Sequence, residues 1–246
     1  MVWGATSWRA AVETARGRVR IIAGAGSNST EHAIELTRLA EASGADAILS
    51  VVPYYNRPMQ SGILAHFQAI SVSTGLPVIL HDIPSRTMRE LADETIARLC
   101  RSNRVVGLRD GSGDFTRPTR LRALVPQGFR ILSGEDAAAL ACIAGGADGC
   151  ISAASNVAPD LCRVIFSSLH QGRMQTARHL NRRLLTLEAC LSQQNPAAVK
   201  YALSLLGLMD PDVRLPMVEL DDAAKAEVAR AVSGMADEDL SVTAQA

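Results

Sequence analysis

Residues 20–52 read RIIAGAGSNSTEHAIELTRLAEASGADAILSVV, and this stretch decides the fold class. Its first part, residues 20–24, and its last part, residues 47–52, are apolar and rich in β-branched side chains, which predicts two strands. Between them a Ser-Thr start signal precedes apolar residues at helical spacing, which predicts a helix from residue 29 or 30 through residue 42. A strand, a helix and a second strand in this order are typical of a parallel sheet with right-handed crossovers.

The same alternation continues toward the C-terminus, and the near-continuous apolar runs indicate strands that are covered on both faces. Further strands are predicted at residues 77–81, 105–109, 129–132 and 149–152, with helices at residues 62–73, 92–100, 118–124, 137–144 and 158–169. Periodicity does not distinguish a closed barrel from an open doubly wound sheet, and six strands by themselves suit the open sheet better. The Gly24-Ala25-Gly26 sequence is too short a signal to indicate dinucleotide binding.

Beyond Gly172 the pattern changes to helices only, predicted at about residues 175–193, 197–208 and 221–236. Residues 1–172 are therefore expected to form one unit of alternating strands and helices. Residues 173–246 are expected to form a C-terminal helical extension of the same domain, with a polar tail from Glu238 to Ala246.

Composition excludes several classes of protein. The 246 residues carry no net charge and their basic side chains are scattered, so nucleic acid and anionic membranes are not expected partners. No apolar run is long enough to cross a bilayer and no secretory signal is visible, which predicts a cytoplasmic protein. The five cysteines are widely spaced, as expected of buried thiols rather than of disulfides or a zinc site.

Five polar loops follow predicted strands, where the carboxyl ends of parallel strands build sites. They are residues 53–58, 81–87, 107–114, 133–136 and 149–152. In this order and spacing they resemble the dihydrodipicolinate synthase/N-acetylneuraminate lyase family, and residues 24–30 and 195–203 support the resemblance. It implies an α/β fold of the TIM (β/α)8-barrel type with a C-terminal helical extension, assembled as a homodimer or homotetramer. This chain is then expected to lack the first two strands and to supply strands three to eight, so that residues 1–172 form a partial (β/α) barrel.

The resemblance also implies a chemistry that this sequence alters. Family members form a Schiff base between pyruvate and a lysine, and the matching position is Arg109. An imine needs a neutral primary amine, whereas a guanidinium stays protonated and delocalised. The two lysines of the chain, Lys200 and Lys225, match no catalytic position. We therefore expect the Schiff base to be lost, with Arg109 acting as a clamp for a carboxylate.

The remaining site residues are assigned by the same resemblance. Tyr55 matches a proton-relaying tyrosine that one subunit lends to its neighbour, and His81 stands where a second such tyrosine is expected. Arg86 matches an arginine that grips a substrate carboxylate, a task for which its planar fork is suited. Gly134 and Ile151 match backbone positions that line the pyruvate pocket.

Two functions remain open from the sequence. In the first, the protein acts on or binds a pyruvate-like 2-oxo acid without a cofactor, and His81 and Tyr55 move protons. In the second, it is a non-catalytic homologue that binds a ligand or co-assembles with an active paralogue. A less favoured alternative is a divalent-metal site built from strand-end residues His81, Asp82, Asp110, Glu135 and Asp136.

Overall fold

The structure, a computed structural model, describes residues 3–236. The described residues form two compact units. The first ends at Gly134 and also includes Gly145–Asp148, whereas the second comprises Glu135–Ala144 and continues from Gly149.

The first unit is an alternation of strands and helices. Its strands are β1 (Ile22–Gly24), β2 (Ala47–Val51), β3 (Val78–Asp82), β4 (Val105–Asp110) and β5 (Arg130–Ser133). Its helices are α1 (Trp3–Ala15), α2 (Thr30–Ala42), α3 (Gln60–Val72), the single turn α4 (Pro84–Thr87), α5 (Asp93–Leu99) and α6 (Arg117–Arg122). Ser29 caps α2 by accepting a hydrogen bond from the backbone N–H of His32, as the start signal in the sequence predicts.

The sheet of the first unit is parallel, and each strand pairs with the next one along the chain. The buried core of the first unit is made of aliphatic side chains with essentially no exposure, among them Ile48, Leu80, Leu108 and Ile131. These side chains alternate along their strands with residues of the other face, so the pairing register fixes which side chains share a face.

The second unit is mostly helical. It contains α7 (Asp136–Ala144), the short strand β6 (Gly149–Cys150), a 3₁₀ turn (Ala154–Asn156), α8 (Pro159–His170), α9 (Met174–Gln193), α10 (Ala197–Leu205) and α11 (Asp222–Ala236). Its core is a cluster of buried aliphatic residues in which α8 and α9 contribute Leu161, Ile165, Leu184 and Leu187. The apolar stripe of α9 thus explains why a long helix follows Gly172.

The predicted strands and helices are all present within the described residues, with ends that differ by a few residues. Two helices, α1 and α4, were not predicted. The first five residues of α1 include Gly4, Thr6 and Ser7, whose low helix propensity kept the sequence pattern from predicting this helix. The predicted polar tail lies outside the described residues, and the predicted boundary after residue 172 stays a prediction. No helix between residues 3 and 236 is long and apolar enough to cross a membrane.

Candidate functional site

The site is built on the carboxyl ends of β3 and β4. His81 of β3 is the register partner of Arg109 of β4, and Asp82 is the partner of Asp110. Side chains alternate between the two faces of a strand, so His81 and Arg109 share one face while Asp82 and Asp110 share the other. The sequence thus places a base and a cation side by side, backed by two acids.

Arg109 is held on both sides of its guanidinium. Its Nη1 donates to Nε2 of His81, and its Nη2 donates to the carbonyl oxygen of Gly134 at 2.8 Å. An arginine has donors only, so Nε2 of His81 must accept through its lone pair. The imidazole is therefore neutral and carries its proton on Nδ1.

The surroundings of His81 favour the same neutral form. Burial, together with the positive charges of Arg109 and Arg86, lowers its pKa from 6.5 to about 4, and burial is the largest of the three causes. At neutral pH the ring is consequently a hydrogen-bonding group, with little capacity to act as an imidazolium acid.

Gly134 is required where β5 ends against β4. Its N–H donates to the carbonyl of Asp110 at 2.6 Å, and a Cβ added to it would lie 2.9 Å from that same oxygen. A side chain would push the two strand ends apart. Glycine therefore brings its carbonyl within reach of Arg109.

A cavity of about 380 Å³ opens beside this pair in the first unit. Its lining residues are Gly24, Gly26, Leu49, Val51, Tyr54, His81, Ile83, Arg86 and Thr87. None of them is acidic, while Arg86 and His81 supply polar groups against apolar walls, as in many small-molecule sites. A larger cavity of about 670 Å³ is bordered only by residues around the end of α1 and contains none of the predicted site residues.

Arg86 is carried by the single turn α4. The hydroxyl of Thr87 donates to the carbonyl of Ile83, and Met88 ends the turn in the left-handed conformation with φ of 57°. Arg86 itself is exposed, and no ion pair of its side chain occurs among residues 3–236. Its cation is therefore available to an anion that enters the cavity.

Tyr55 stands apart from the cavity, whose lining includes its neighbour Tyr54. It is 90% exposed and has φ of 71°, and the N–H of Asn56 donates to the carbonyl of Tyr54 at 2.8 Å. This hydrogen bond closes a tight turn centred on Tyr55, a strained conformation for a residue with a large side chain. The turn presents the ring to solvent.

The other predicted residues lie in the second unit. Ile151 follows β6 and is half-buried. Lys200 donates to the carbonyl of Asp212, and Lys225 pairs with Glu219 at 3.2 Å. Both lysines are thus engaged with partners within their own unit.

The metal alternative gains no support from the structure. No group of three or more His, Cys, Asp or Glu side chains that could hold a metal occurs between residues 3 and 236. Asp82 and Asp110 instead pair with the buried Arg117, and Asp136 accepts from the backbone N–H groups of Ala153 and Ala154. Burial raises the pKa of Asp82 to about 6 although Arg117 opposes the shift.

Sequence reasoning missed Arg117 and the contribution of β1 and β2 to the cavity. Gly26 approaches β2 so closely that a Cβ would lie 2.5 Å from the backbone nitrogen of Val51. The Gly-Ala-Gly sequence that begins at the last residue of β1 was the available signal. For Arg117, the signal was an acidic residue at the end of two consecutive predicted strands, which calls for a buried cation.

Comparison with known proteins places these features in a family. The chain is 47% identical to 4-hydroxy-tetrahydrodipicolinate synthase of Hyphomonas neptunium over 229 residues, which covers 91% of this chain and 78% of that protein. It superposes with a TM-score of 0.90 on the corresponding synthase of Methylacidiphilum fumariolicum SolV, at 39% identity over 94% of this chain and 77% of the other.

A second solved structure is the chloride-inhibited dihydrodipicolinate synthase of Acinetobacter baumannii complexed with pyruvate. The TM-score is 0.90 at 36% identity, and the match covers 94% of this chain and 79% of that one. These neighbours bear out the expected dihydrodipicolinate synthase type of TIM barrel. The family model described as the dihydrodipicolinate synthetase family matches residues 7–235, and the chain therefore belongs to that family.

Proposed function

We propose that this protein binds a pyruvate-like 2-oxo acid in the cavity beside His81 and does so without forming a Schiff base. The observation that carries the proposal is the contact of Arg109 with His81 and Gly134 at the ends of β4, β3 and β5. A permanently charged group occupies the place at which the resemblance expects a nucleophilic amine. It favours a carboxylate as ligand and disfavours imine formation.

The ligand is held by three groups in this proposal. The guanidinium of Arg86 binds a carboxylate through charge-assisted hydrogen bonds, and Arg109 supplies a second positive charge on the far side of His81. The neutral ring of His81 donates its Nδ1 proton to an oxygen of the ligand. The relative from Acinetobacter baumannii, whose structure contains pyruvate, supports this choice of ligand.

A proton-moving role for His81 has less support. Its Nε2 lone pair accepts from Arg109, and a pKa of about 4 leaves it neutral at physiological pH. A general base works best when its pKa lies near the working pH. We therefore assign His81 to binding and orientation, and any remaining proton transfer to water or to a Tyr55 that a neighbouring subunit lends, as the resemblance implies.

The second candidate function, a non-catalytic partner in an assembly, is favoured by Tyr55. The aromatic ring of Tyr55 is almost fully exposed on a strained turn, which suits a contact with another subunit better than a contact with solvent. The homodimer or homotetramer expected from the family fits both functions. Gel filtration with light scattering tests the homo-oligomer, and a monomer at working concentration would remove Tyr55 from a contact between copies of this chain.

We further propose that β1–β6 are strands three to eight of an eight-stranded barrel. The coverage of 78% of the Hyphomonas neptunium relative supports this correspondence. In-frame codons for two further strands in the DNA upstream of Met1 would support this correspondence. The cytoplasmic location stays a prediction that fractionation of the source cells would check.

The test of the proposed function is intact-mass spectrometry after incubation with pyruvate and borohydride. In a Schiff base the lysine amine attacks the carbonyl carbon, water leaves, and borohydride reduces the resulting double bond. We expect no adduct on the natural chain and an adduct on Arg109→Lys. An adduct on the natural chain would overturn the proposal, since Lys200, Lys225 or the terminal amine would then supply the nucleophile.

Binding is tested separately by calorimetry with pyruvate on the natural chain, with acetate as a ligand that lacks the 2-oxo group. Preferential binding of pyruvate is expected. If neither acid binds and Arg109→Lys also forms no adduct, the cavity is not a 2-oxo acid site and assembly remains as the function.

A further inference from the structure

A buried guanidinium lies on the face of the sheet opposite His81 and Arg109. Arg117, in the first turn of α6, has no exposed surface. Its Nη1 donates to Oδ2 of Asp82 at 2.8 Å and to Oδ1 of Asp110 at 2.9 Å. One nitrogen therefore joins the two residues that directly follow His81 and Arg109 in their strands.

The same guanidinium also reaches the loop that carries Arg86. Its Nη2 donates to the carbonyl of Leu91, while the N–H of Leu91 donates to Oδ2 of Asp82 at 3.1 Å. The loop between β3 and α5 leaves the sheet at Asp82 and is brought back to it at Leu91. Arg117 thus contacts both ends of the segment on which Arg86 sits.

A third acid completes the cluster without touching the strand ends. Nε of Arg117 donates to Oδ1 of Asp93, in the first turn of α5, at 2.8 Å. Asp93 also pairs with the half-exposed Arg120 at 3.3 Å. This contact ties α6 to α5 and offers a comparison within the same cluster.

We propose that Arg117 is a positioning residue, which holds the ends of β3 and β4 in register so that Arg109 meets Nε2 of His81. The inference rests on the proposed function in that His81, which Arg109 orients, is taken to bind the ligand in the cavity that it lines. A backbone shift of β3 relative to β4 would separate the pair directly, because the side chains extend from adjacent register positions. A lysine could not make all of these contacts, since its single ammonium lacks the planar fork that reaches Leu91 and Asp93 as well as the strand ends.

A purely structural cluster would predict something different. If Arg117 only stabilised the unit, weakening any of its contacts would loosen every buried group to a similar degree. If it positions the pair, weakening its contacts to the strand ends would change the surroundings of His81 and leave other buried groups unchanged. His66 of α3 serves as the internal reference, because it is buried, bonded to Thr30 at 2.9 Å, and also has a pKa lowered to about 4 by burial.

The experiment is an NMR titration of the imidazole signals of His81 and His66 in ligand-free protein, with assignment by His81→Asn and His66→Asn. Arg117→Lys tests the strand-end contacts. Asp93→Asn is the matched control, since it alters the third partner of Arg117 and leaves Asp82 and Asp110 in place. Arg109 and Arg86 are the charged groups that act on His81, so a displaced pair moves its titration midpoint.

We expect Arg117→Lys to raise the midpoint of His81 by more than the few tenths of a pH unit within which His66 stays, and Asp93→Asn to leave both midpoints unchanged. Equal shifts of both histidines, or no shift of His81 in folded Arg117→Lys, would overturn the proposal. If Arg117→Lys does not fold, Asp110→Asn provides the same comparison through the β4 contact alone. The readout needs no ligand, so its failure is distinct from a failure to bind 2-oxo acids.

Discussion

Arg109 and His81 face each other across β4 and β3, and the guanidinium donates to the imidazole through Nη1. Because an arginine cannot accept, the contact exists only while His81 is neutral. The pKa of His81 therefore depends on whether Arg109 is in contact with it, and the arginine fixes which ring nitrogen carries the proton.

Replacing Arg109 should raise the pKa of His81. In Arg109→Gln one of the two nearby positive charges is lost but burial remains, so the midpoint is expected to move from about 4 toward, without reaching, 6.5. NMR titration of the ring measures it. Arg130→Gln, on the exposed side of β5, is the control and should leave the midpoint unchanged. An unchanged midpoint in Arg109→Gln would mean that the two side chains are not in contact.

Arg86→Ala should weaken binding of pyruvate by roughly tenfold to a hundredfold, the worth of a charge-assisted hydrogen bond to a carboxylate. Calorimetry measures the dissociation constant. Arg163→Ala, which removes a side chain 71% exposed on α8, is the control for loss of one surface charge. Equal affinity in Arg86→Ala and the natural chain would remove Arg86 from the ligand site.

Tyr55→Asn should stabilise the isolated subunit by up to about 1 kcal/mol, because asparagine adopts positive φ more readily than tyrosine. The ring is almost fully exposed, so little packing is lost. Denaturant unfolding gives the free energy. Tyr54→Asn, at a position without positive φ, is expected to be neutral or destabilising. A destabilised Tyr55→Asn would indicate that the ring is buried against a partner in solution.

The stability of the protein should depend on pH through His66. Its pKa is lowered to about 4 in the folded chain and is 6.5 when exposed. Between these two pH values the folded state therefore binds fewer protons than the unfolded state, and stability falls as the pH falls. This histidine alone is expected to remove about 2 kcal/mol of unfolding free energy between pH 7 and pH 5. His81 acts in the same direction, whereas Asp82, whose pKa is raised, acts in the opposite one.

The comparison of His66→Asn with the natural chain isolates that contribution. Between pH 7 and pH 5 the unfolding free energy of the variant should fall by about 2 kcal/mol less than that of the natural chain, as measured by urea unfolding. His179→Asn changes an exposed histidine of α9 and is the control. Parallel stability curves for the natural chain and His66→Asn would show that His66 is accessible to protons in the folded state.

Arg117→Met should be among the most destabilising single substitutions in the first unit, at about 3–5 kcal/mol, since it leaves Asp82 and Asp110 buried without their cation. Arg120→Met removes a neighbouring arginine that is half-exposed and should cost no more than about 1 kcal/mol. Thermal unfolding of both variants measures the difference. Equal effects would mean that the cluster is open to water.

The sequence by itself determined the order of strands and helices and the family. Alternating runs such as residues 20–52 carry this information locally, because the spacing of apolar residues follows the period of the element that buries them. It also located His81, Arg109 and Gly134 at strand ends, and the structure brings these three together. The loss of the Schiff base was predicted from one position, and it stays a prediction.

Only the tertiary structure decided the state of those residues. Burial and two arginines set the pKa of His81, and the two partners of Arg109, His81 and Gly134, are 28 and 25 residues away in the chain. Arg117 has the appearance of a surface residue in the sequence, yet it joins acids that lie 7 and 35 residues away. Desolvation and contacts between distant positions depend on how strands are paired, and no local pattern records them.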